Sequence, residues 1–249
     1  MEQWQYLGEN FLESNSVRGV EITPGFRLQT LLSGNRLRLC LTTFDKSSAL
    51  PEYTYPHEQA GYVLSGALEL VVGGKKLIAP ARSAYLIRSN MPYAARALDQ
   101  SSVVNAFSGP LPFPDGLKPP AEITSLAQAE VREHTAGRSP IVVNSADVAE
   151  LEVVSGFWRK TLIYGSDLML VLSRFSKAAP LPEHNHPHEQ AGYVLSGTLE
   201  LNVAGRTHIT RAGCSSFMYS NQSHSALALE DSLALDAFSP PRLDYLVGS

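Results

Sequence analysis

The chain repeats itself. Pro51-Glu-Tyr-Thr-Tyr-Pro-His-Glu-Gln-Ala-Gly-Tyr-Val-Leu-Ser-Gly66 returns 131 positions later as Pro182-Glu-His-Asn-His-Pro-His-Glu-Gln-Ala-Gly-Tyr-Val-Leu-Ser-Gly197. Between residues 51–70 and 182–201 only positions 53, 54, 55 and 67 differ. The same offset holds without a gap from Phe26/Phe157 to Pro110/Pro241, through Gly34/Gly165, Phe44/Phe175, Asn90/Asn221 and Phe107/Phe238. A duplicated unit of about 100 residues has the size of a domain, so whatever fold one copy adopts the other must adopt too.

Within each unit the local signals are those of strands. Leu168-Met-Leu-Val-Leu-Ser-Arg-Phe175 and Ser232-Leu-Ala-Leu-Asp-Ala-Phe238 are short apolar runs. Tyr193 to Val203 holds two β-rich runs broken at Ser196-Gly197, which reads as a hairpin-type turn. Many short strands punctuated by Gly, Pro and Asn predict an all-β sandwich or small barrel. Gly109 to Pro120 is a Pro-rich crossing segment, and the spacing of Ile123, Leu126, Ala127 and Val131 predicts one connecting helix over 121–133. The expected organisation is a first barrel over 1–110, a linker with its helix over 111–150, and a second barrel over 151–249.

Composition narrows the partners. The net charge is -4 over 249 residues and no Lys/Arg block occurs, which argues against nucleic acid or an anionic membrane. No apolar run approaches a membrane span. Met1-Glu2-Gln3-Trp4 has neither a basic start nor an apolar stretch, so no signal peptide is expected. The two cysteines, Cys40 and Cys214, stand at unrelated positions of the repeat, so a disulfide framework is not expected and a reducing cytoplasm is the default.

The differences between the copies carry the chemistry. His184 and His186 are one residue apart, which on a strand puts both imidazoles on one face. Gln190 follows, and His224 stands on a later strand after Gly213. Three imidazoles and one oxygen donor suit a single divalent first-row ion: Fe, Mn, Co, Ni or Zn. The first copy has Tyr53, Tyr55, Gln59 and Tyr93 at these places, and phenols with pKa about 10 are poor replacements for imidazoles. Those rings either fill the first barrel or line a metal-free aromatic pocket. His188 and Glu189 match His57 and Glu58, so they persist where the ligands do not, which points to structural or supporting roles. Glu189 has the wrong parity and spacing for a ligand.

These motifs resemble the cupin superfamily. His184-x-His186-x3-Gln190-x6-Gly197 follows the first cupin motif with Gln in place of the usual Glu; Gly213-x5-Tyr219-x-Asn221-x2-His224 keeps the Gly and His of the second motif but not its Pro and middle Gly. The resemblance implies two tandem jelly-roll (double-stranded β-helix) barrels, the second metal-binding and the first degenerate. The run from His184 to Gly197 together with Asp236-Ala-Phe238-Ser-Pro-Pro-Arg242-x-Asp244 is similar to the small pectin-degradation cupins, which turn unsaturated uronates into open-chain keto sugars. The plan also resembles the bicupin isomerase of the bacilysin pathway. In the uronate family the matching Asp, Phe and Arg line the pocket, which here implies Asp236, Phe238 and Arg242. The first copy has Asn105, Phe107 and Leu111 there.

Gln at the fourth ligand position leaves a divalent ion its full charge, which favours Lewis-acid chemistry on a carbonyl over redox chemistry. The leading expectation is a metal-dependent isomerase or lyase, with dehydratase or cyclase chemistry also within reach, acting on a small carbonyl acid. Asp236, or His188 through water, would move a proton, and Arg242 and Phe238 would orient the substrate. The alternatives are an Fe(II) dioxygenase and a non-catalytic metabolite-binding bicupin. The partner expected is a small molecule, with the chain either an internal pseudo-dimer or a homodimer.

Overall fold

The computed structural model describes residues 10–111 and 142–246. The expected linker helix falls outside them, as does most of the Pro-rich crossing. The first copy runs through β1 (Phe11–Glu13), β2 (Val20–Thr23), β3 (Phe26–Ser33), β4 (Arg38–Phe44), β5 (Ala49–Tyr53), β6 (Gln59–Ser65), β7 (Ala67–Val72), β8 (Lys75–Pro80), β9 (Ser83–Ile87), β10 (Tyr93–Ala97) and β11 (Ser101–Phe107). The second repeats this order as β12 (Val142–Asn144), β13 (Leu151–Val154), β14 (Phe157–Tyr164), β15 (Met169–Phe175), β16 (Pro180–His184), β17 (Glu189–Ser196), β18 (Thr198–Val203), β19 (Arg206–Arg211), β20 (Cys214–Met218), β21 (His224–Ala228) and β22 (Ser232–Ser239). Three short 3-10 turns are the only helical pieces among the described residues, and no helix there is long and apolar enough to cross a membrane.

Each half is a large sheet folded against a small one, the all-β double-barrel plan expected from the repeat. The first barrel pairs the order β12-β9-β6-β11-β4-β3-β2 with β5-β10-β7-β8; the second pairs β1-β20-β17-β22-β15-β14-β13 with β16-β21-β18-β19. The leading strands have changed places. β1 lies antiparallel on β20, Phe11 opposite Ser216, and β12 lies on β9, Val142 opposite Tyr85. Each copy of the repeat thus completes the other copy's sheet.

The expected hairpin at Ser196-Gly197 is not one. β17 bonds β20 and β22 in the large sheet, whereas β18 bonds β19 and β21 in the small sheet. Gly197 (φ 83°) is the corner where the strand passes between sheets, and a Cβ there would meet the Asp231 carbonyl oxygen at 2.4 Å. Turn residues mark a change of direction, but the partner of each strand is decided by tertiary pairing.

The two large sheets face each other across one shared core. Leu31, Leu37, Leu39 and Tyr62 from the first copy pack with their repeat partners Leu162, Leu168, Leu170 and Tyr193 from the second. The opposite face of each large sheet looks into its own barrel. Strands covered on both faces read as unbroken apolar runs, which is why Leu168 to Phe175 shows no alternation. A reciprocal clasp crosses this interface. The buried Glu189 carboxylate accepts the backbone N–H groups of Asn35 (2.9 Å), Arg36 (2.9 Å) and Leu37 (3.0 Å). Glu58 does the same for Ser166, Asp167 and Leu168 and also takes the Ser166 hydroxyl. A carboxylate removed from water is tolerable when several N–H donors surround it. A Cβ at Gly165 would lie 2.2 Å from Glu58, and one at Gly34 2.5 Å from Glu189, so the turns approach this closely only as glycines. The clasp explains why the Glu persists in both copies.

Candidate metal centre

The corner before β17 and the pairing of β16 with β21 bring the expected ligands together. His184 closes β16 and sits opposite His224, the first residue of β21; His186 follows just past the strand end. One ring nitrogen from each of these three histidines lies within 4.8 Å of the others. His186, Gln190 and His224 are buried and His184 is half-buried.

The tautomers are fixed by the main chain. Nδ1 of His184 lies 2.8 Å from the Pro182 carbonyl oxygen, that of His186 3.0 Å from His188, and that of His224 2.8 Å from Gln222. A carbonyl only accepts, so each Nδ1 carries the hydrogen and each Nε2 keeps its lone pair. Nε2 of His224 is buried and has no hydrogen-bond partner. The amide of Gln190 is oriented as well: its Nε2 donates to Asp236 Oδ1 at 2.8 Å, and Ser173 Oγ donates to Asp236 Oδ2 at 2.7 Å. That leaves Gln190 Oε1 pointing at His186 Nε2, 3.1 Å away. Two lone pairs meet there with no hydrogen between them, an arrangement that repels unless a cation is shared. Three clustered imidazole nitrogens, with the Gln190 oxygen beside that of His186, are a donor set that fits a divalent first-row ion.

Electrostatics agrees. Burial, helped by the nearby Arg242 charge, pushes His186 down to about 4, and burial pushes His224 to about 4, so both imidazoles are neutral and ready to ligate at neutral pH. Burial raises the Asp236 carboxyl, against the pull of its Ser173 and Gln190 hydrogen bonds.

Around the ligands stand the other residues expected from the sequence. Phe238 meets the His186 ring edge-on at 5.7 Å. Arg242 lies over Tyr245 at 4.3 Å and near Phe238 at 5.8 Å. Its Nε and one terminal nitrogen are already taken by Asp244, at 3.0 and 2.8 Å, while the other terminal nitrogen, Nη1, is buried without a partner. The Nε–Nη2 edge of the guanidinium is therefore occupied by Asp244, and Nη1 is left over. The His188 ring lies 5.6 Å from that of His186; its Nδ1 is buried and unpartnered, and burial, then Arg242, lowers its pKa. A cavity of about 50 Å³ opens inside the barrel behind the ligands, with Ser173, Gln190, Ser216, His224 and Asp236 on its polar side and Phe175, Leu199 and Val203 among its apolar lining.

The first barrel shows the same frame filled in. Tyr53, Tyr55, Tyr85 and Tyr93 are buried in its interior and pack in its apolar core. The Tyr53 hydroxyl donates to Gln59 Oε1 at 3.1 Å, taking the place where Gln190 faces the metal position. Gln59 Nε2 donates to Asn105 at 3.0 Å, and Asn105 donates to Thr42 at 2.8 Å, a neutral copy of the Gln190–Asp236–Ser173 chain. The Tyr55 hydroxyl bonds the Pro110 carbonyl. Tyr85 corresponds to Ser216, a large-to-small exchange that helps open the second barrel. Sequence reasoning did not single out Ser216 or Ser173 and gave Asp244 and Tyr245 no role. The exchange at 85/216 was legible in the same repeat comparison that gave the His-to-Tyr changes.

Two double-sheet barrels, with a cluster of three imidazoles in the second among the described residues, define a bicupin with a candidate metal site. Comparison with known proteins agrees. Residues 172–237 match the cupin domain family. The pectin degradation protein KdgF of Dickeya dadantii (strain 3937) is 35% identical over 97 residues, 38% of this chain and 88% of that protein. The chain belongs to the cupin family. Among solved structures, AerE from Microcystis aeruginosa superposes with a TM-score of 0.71 at 14% identity, covering 94% of this chain and 100% of AerE. A mutant of Bacillus subtilis oxalate decarboxylase gives 0.71 at 11% identity over 95% of this chain and 78% of that one. At such identities the likeness is one of fold.

Proposed function

We propose that the second barrel is the active site of a metal-dependent, non-redox isomerase or lyase acting on a small carbonyl-bearing acid, such as a sugar acid or a biosynthetic intermediate. The observation that carries this reading is the Gln190 amide, held by Asp236 with its oxygen 3.1 Å from His186, one of the three clustered imidazoles. Every ligand is neutral. A divalent ion held by His184, His186, Gln190 and His224 would supply Lewis acidity toward a carbonyl or enolate oxygen with no anionic ligand to weaken it.

The other steps belong to the chain. Arg242 offers its unpartnered Nη1 to the substrate's carboxylate, braced by Asp244 and the Tyr245 ring. Phe238 supplies an aromatic wall beside His186. Asp236 lines the cavity, keeps a free lone pair on each oxygen and, with its pKa raised by burial, accepts and returns a proton. His188 is a second proton carrier, through water. The likeness to KdgF, a pectin degradation protein by name, supports an unsaturated uronate as the first substrate to try.

The test is turnover by the metal-loaded protein on a panel of unsaturated uronates and unsaturated keto acids, followed by NMR with an oxygen electrode. Rearrangement without oxygen uptake, abolished by chelation and restored by metal, is the expected result. Oxygen consumed in step with substrate would overturn it in favour of a dioxygenase, and no turnover across the panel would favour a binding role.

A further inference from the structure

His224 is aimed by a main-chain carbonyl, that of Gln222. Whatever fixes the turn at 219–222 therefore fixes the imidazole. The turn is cross-tied by the Gln222 side chain, whose Oε1 accepts the Tyr219 N–H at 2.9 Å while the Gln222 N–H donates to the Tyr219 carbonyl at 2.9 Å. The second hydrogen bond to Gln222 Oε1 comes from the other half of the molecule. Asn10, just before the exchanged strand β1, donates from Nδ2 to Gln222 Oε1 at 3.1 Å and to the Phe217 carbonyl at 2.6 Å. Its own carbonyl accepts the Phe217 N–H at 2.8 Å. Asn10 thus rivets the end of β20 to the turn that follows it. The same turn reaches a second ligand, because the Asn221 N–H donates to the His186 carbonyl at 2.7 Å.

The repeat gives an internal control. Asn221 and Asn90 share the left-handed backbone (φ 62° and 59°), so both turns have the same path. Only the metal-site copy carries Gln at the next position; the first copy has Met91, which has no oxygen to offer. The extra tie is present where an imidazole must be aimed and missing where a tyrosine simply packs.

We propose that Asn10 and Gln222 are positioning residues for His224, and that through them the leading strand of the metal-less half sets the metal affinity of the other half. This rests on the metal reading above. Outer partners of ligating histidines typically contribute a factor of about ten to a hundred in metal affinity.

The experiment uses the full chain, stripped with chelator and titrated with Zn(II) alone, with Co(II) as a spectroscopic probe. Gln222→Met copies the first barrel, whose turn folds. Gln222→Met and Asn10→Ala should each weaken Zn(II) binding by about tenfold or more and alter the Co(II) visible spectrum. Because the two share the Asn10–Gln222 bond, the double variant should weaken binding by less than the product of the two single effects. Asn202→Ala, which removes comparable bonds to Thr207 and Gly205 in the hairpin of β18 and β19, should leave affinity and spectrum as in wild type. Wild-type binding with both variants within about twofold of it would overturn this inference alone. Weakening by Asn202→Ala to the same extent would overturn it too, by showing that general loosening suffices. A wild-type chain that binds neither ion would bring down the metal reading and this inference together.

Discussion

Replacing Gln190 by Glu restores the residue usual at this motif position, and the structure says it should harm the metal-free protein. Gln190 Nε2 stands 2.8 Å from Asp236 Oδ1 as a donor. A glutamate puts a second carboxylate oxygen in that place. Two unit charges 2.8 Å apart repel by about 6 kcal/mol at an effective dielectric of about 20, equivalent to about four pKa units. One of the pair therefore keeps its proton at pH 7. Holding a proton that an unfolded glutamate, with pKa about 4.3, would release costs about 4 kcal/mol at pH 7. The cost falls by about 1.4 kcal/mol for each pH unit of acidification and is nearly gone by about pH 4.

The assay is urea unfolding of chelator-treated wild type, Gln190→Glu, Asp236→Asn and the double variant between pH 4.5 and 7.5. Gln190→Glu should be about 4 kcal/mol less stable than wild type at pH 7, with a difference that shrinks as pH falls. In the double variant the amide introduced at position 236 becomes the donor and the carboxylate introduced at position 190 the acceptor, so stability at pH 7 should return to within about 1 kcal/mol. Gln190→Glu as stable as wild type at pH 7, or a deficit that does not change with pH, would refute the reasoning.

Three further outcomes follow from the same geometry. Elemental analysis of protein purified without chelator should find one metal per chain, and His184→Ala or His224→Ala should lose it while circular dichroism stays that of a folded β protein; two ions per chain would contradict the reading of Tyr53, Tyr55 and Tyr93. Glu58→Gln should cost about 3 kcal/mol in urea unfolding, because its carboxylate collects four donors from Ser166, Asp167 and Leu168 and an amide would turn a donor toward them; a loss below about 0.5 kcal/mol would show that the clasp contributes little. His186 and His224 are held at about 4, against about 6.5 in an unfolded chain, so between those values the unfolded chain binds more protons and the chelator-treated protein loses stability as pH falls. The variant His186→Gln/His224→Gln should lose less over that window, and parallel melting-temperature slopes for the two proteins would count against it.

The histidine cluster and the barrel plan could be read from the sequence because the repeat supplies its own comparison: a constant frame with Tyr in one copy and His in the other at the positions that point inward. Other features were hidden for physical reasons. The exchange of β1 and β12 leaves no trace in local pattern, since a short strand carries the same residues whichever sheet it joins. The corner at Gly197 and a hairpin turn ask for the same residue. The role of Glu58 and Glu189 was only half legible: persistence in both copies marked them as structural, but their partners lie 108 to 110 and 152 to 154 positions away. Asn221 was read as a departure from the second motif, yet its left-handed backbone does what the motif's glycine does, as asparagine can.

The residue behind the amide ties these observations together. In both barrels a Gln hands its N–H to a side chain on the last strand, Asp236 in one and Asn105 in the other. A carboxylate inside a barrel needs a counter-charge, and among the described groups facing Asp236 are a serine, an amide and imidazoles that burial keeps neutral. A divalent ion on those imidazoles would provide it. In the first barrel the Tyr53 hydroxyl satisfies the Gln oxygen with no charge, and the acid is correspondingly an amide. The Asp/Asn and His/Tyr differences between the copies fit a cation in one barrel and none in the other. It follows that converting the first barrel to a metal site would need more than histidines at 53, 55 and 93: Tyr85 would have to shrink, as Ser216 has, and Asn105 would have to become an acid. A triple histidine variant lacking those two changes should bind Zn(II) at the first barrel more weakly than one that has them, and equal binding by the two in titration calorimetry would show that the acid and the cavity are not part of the metal site.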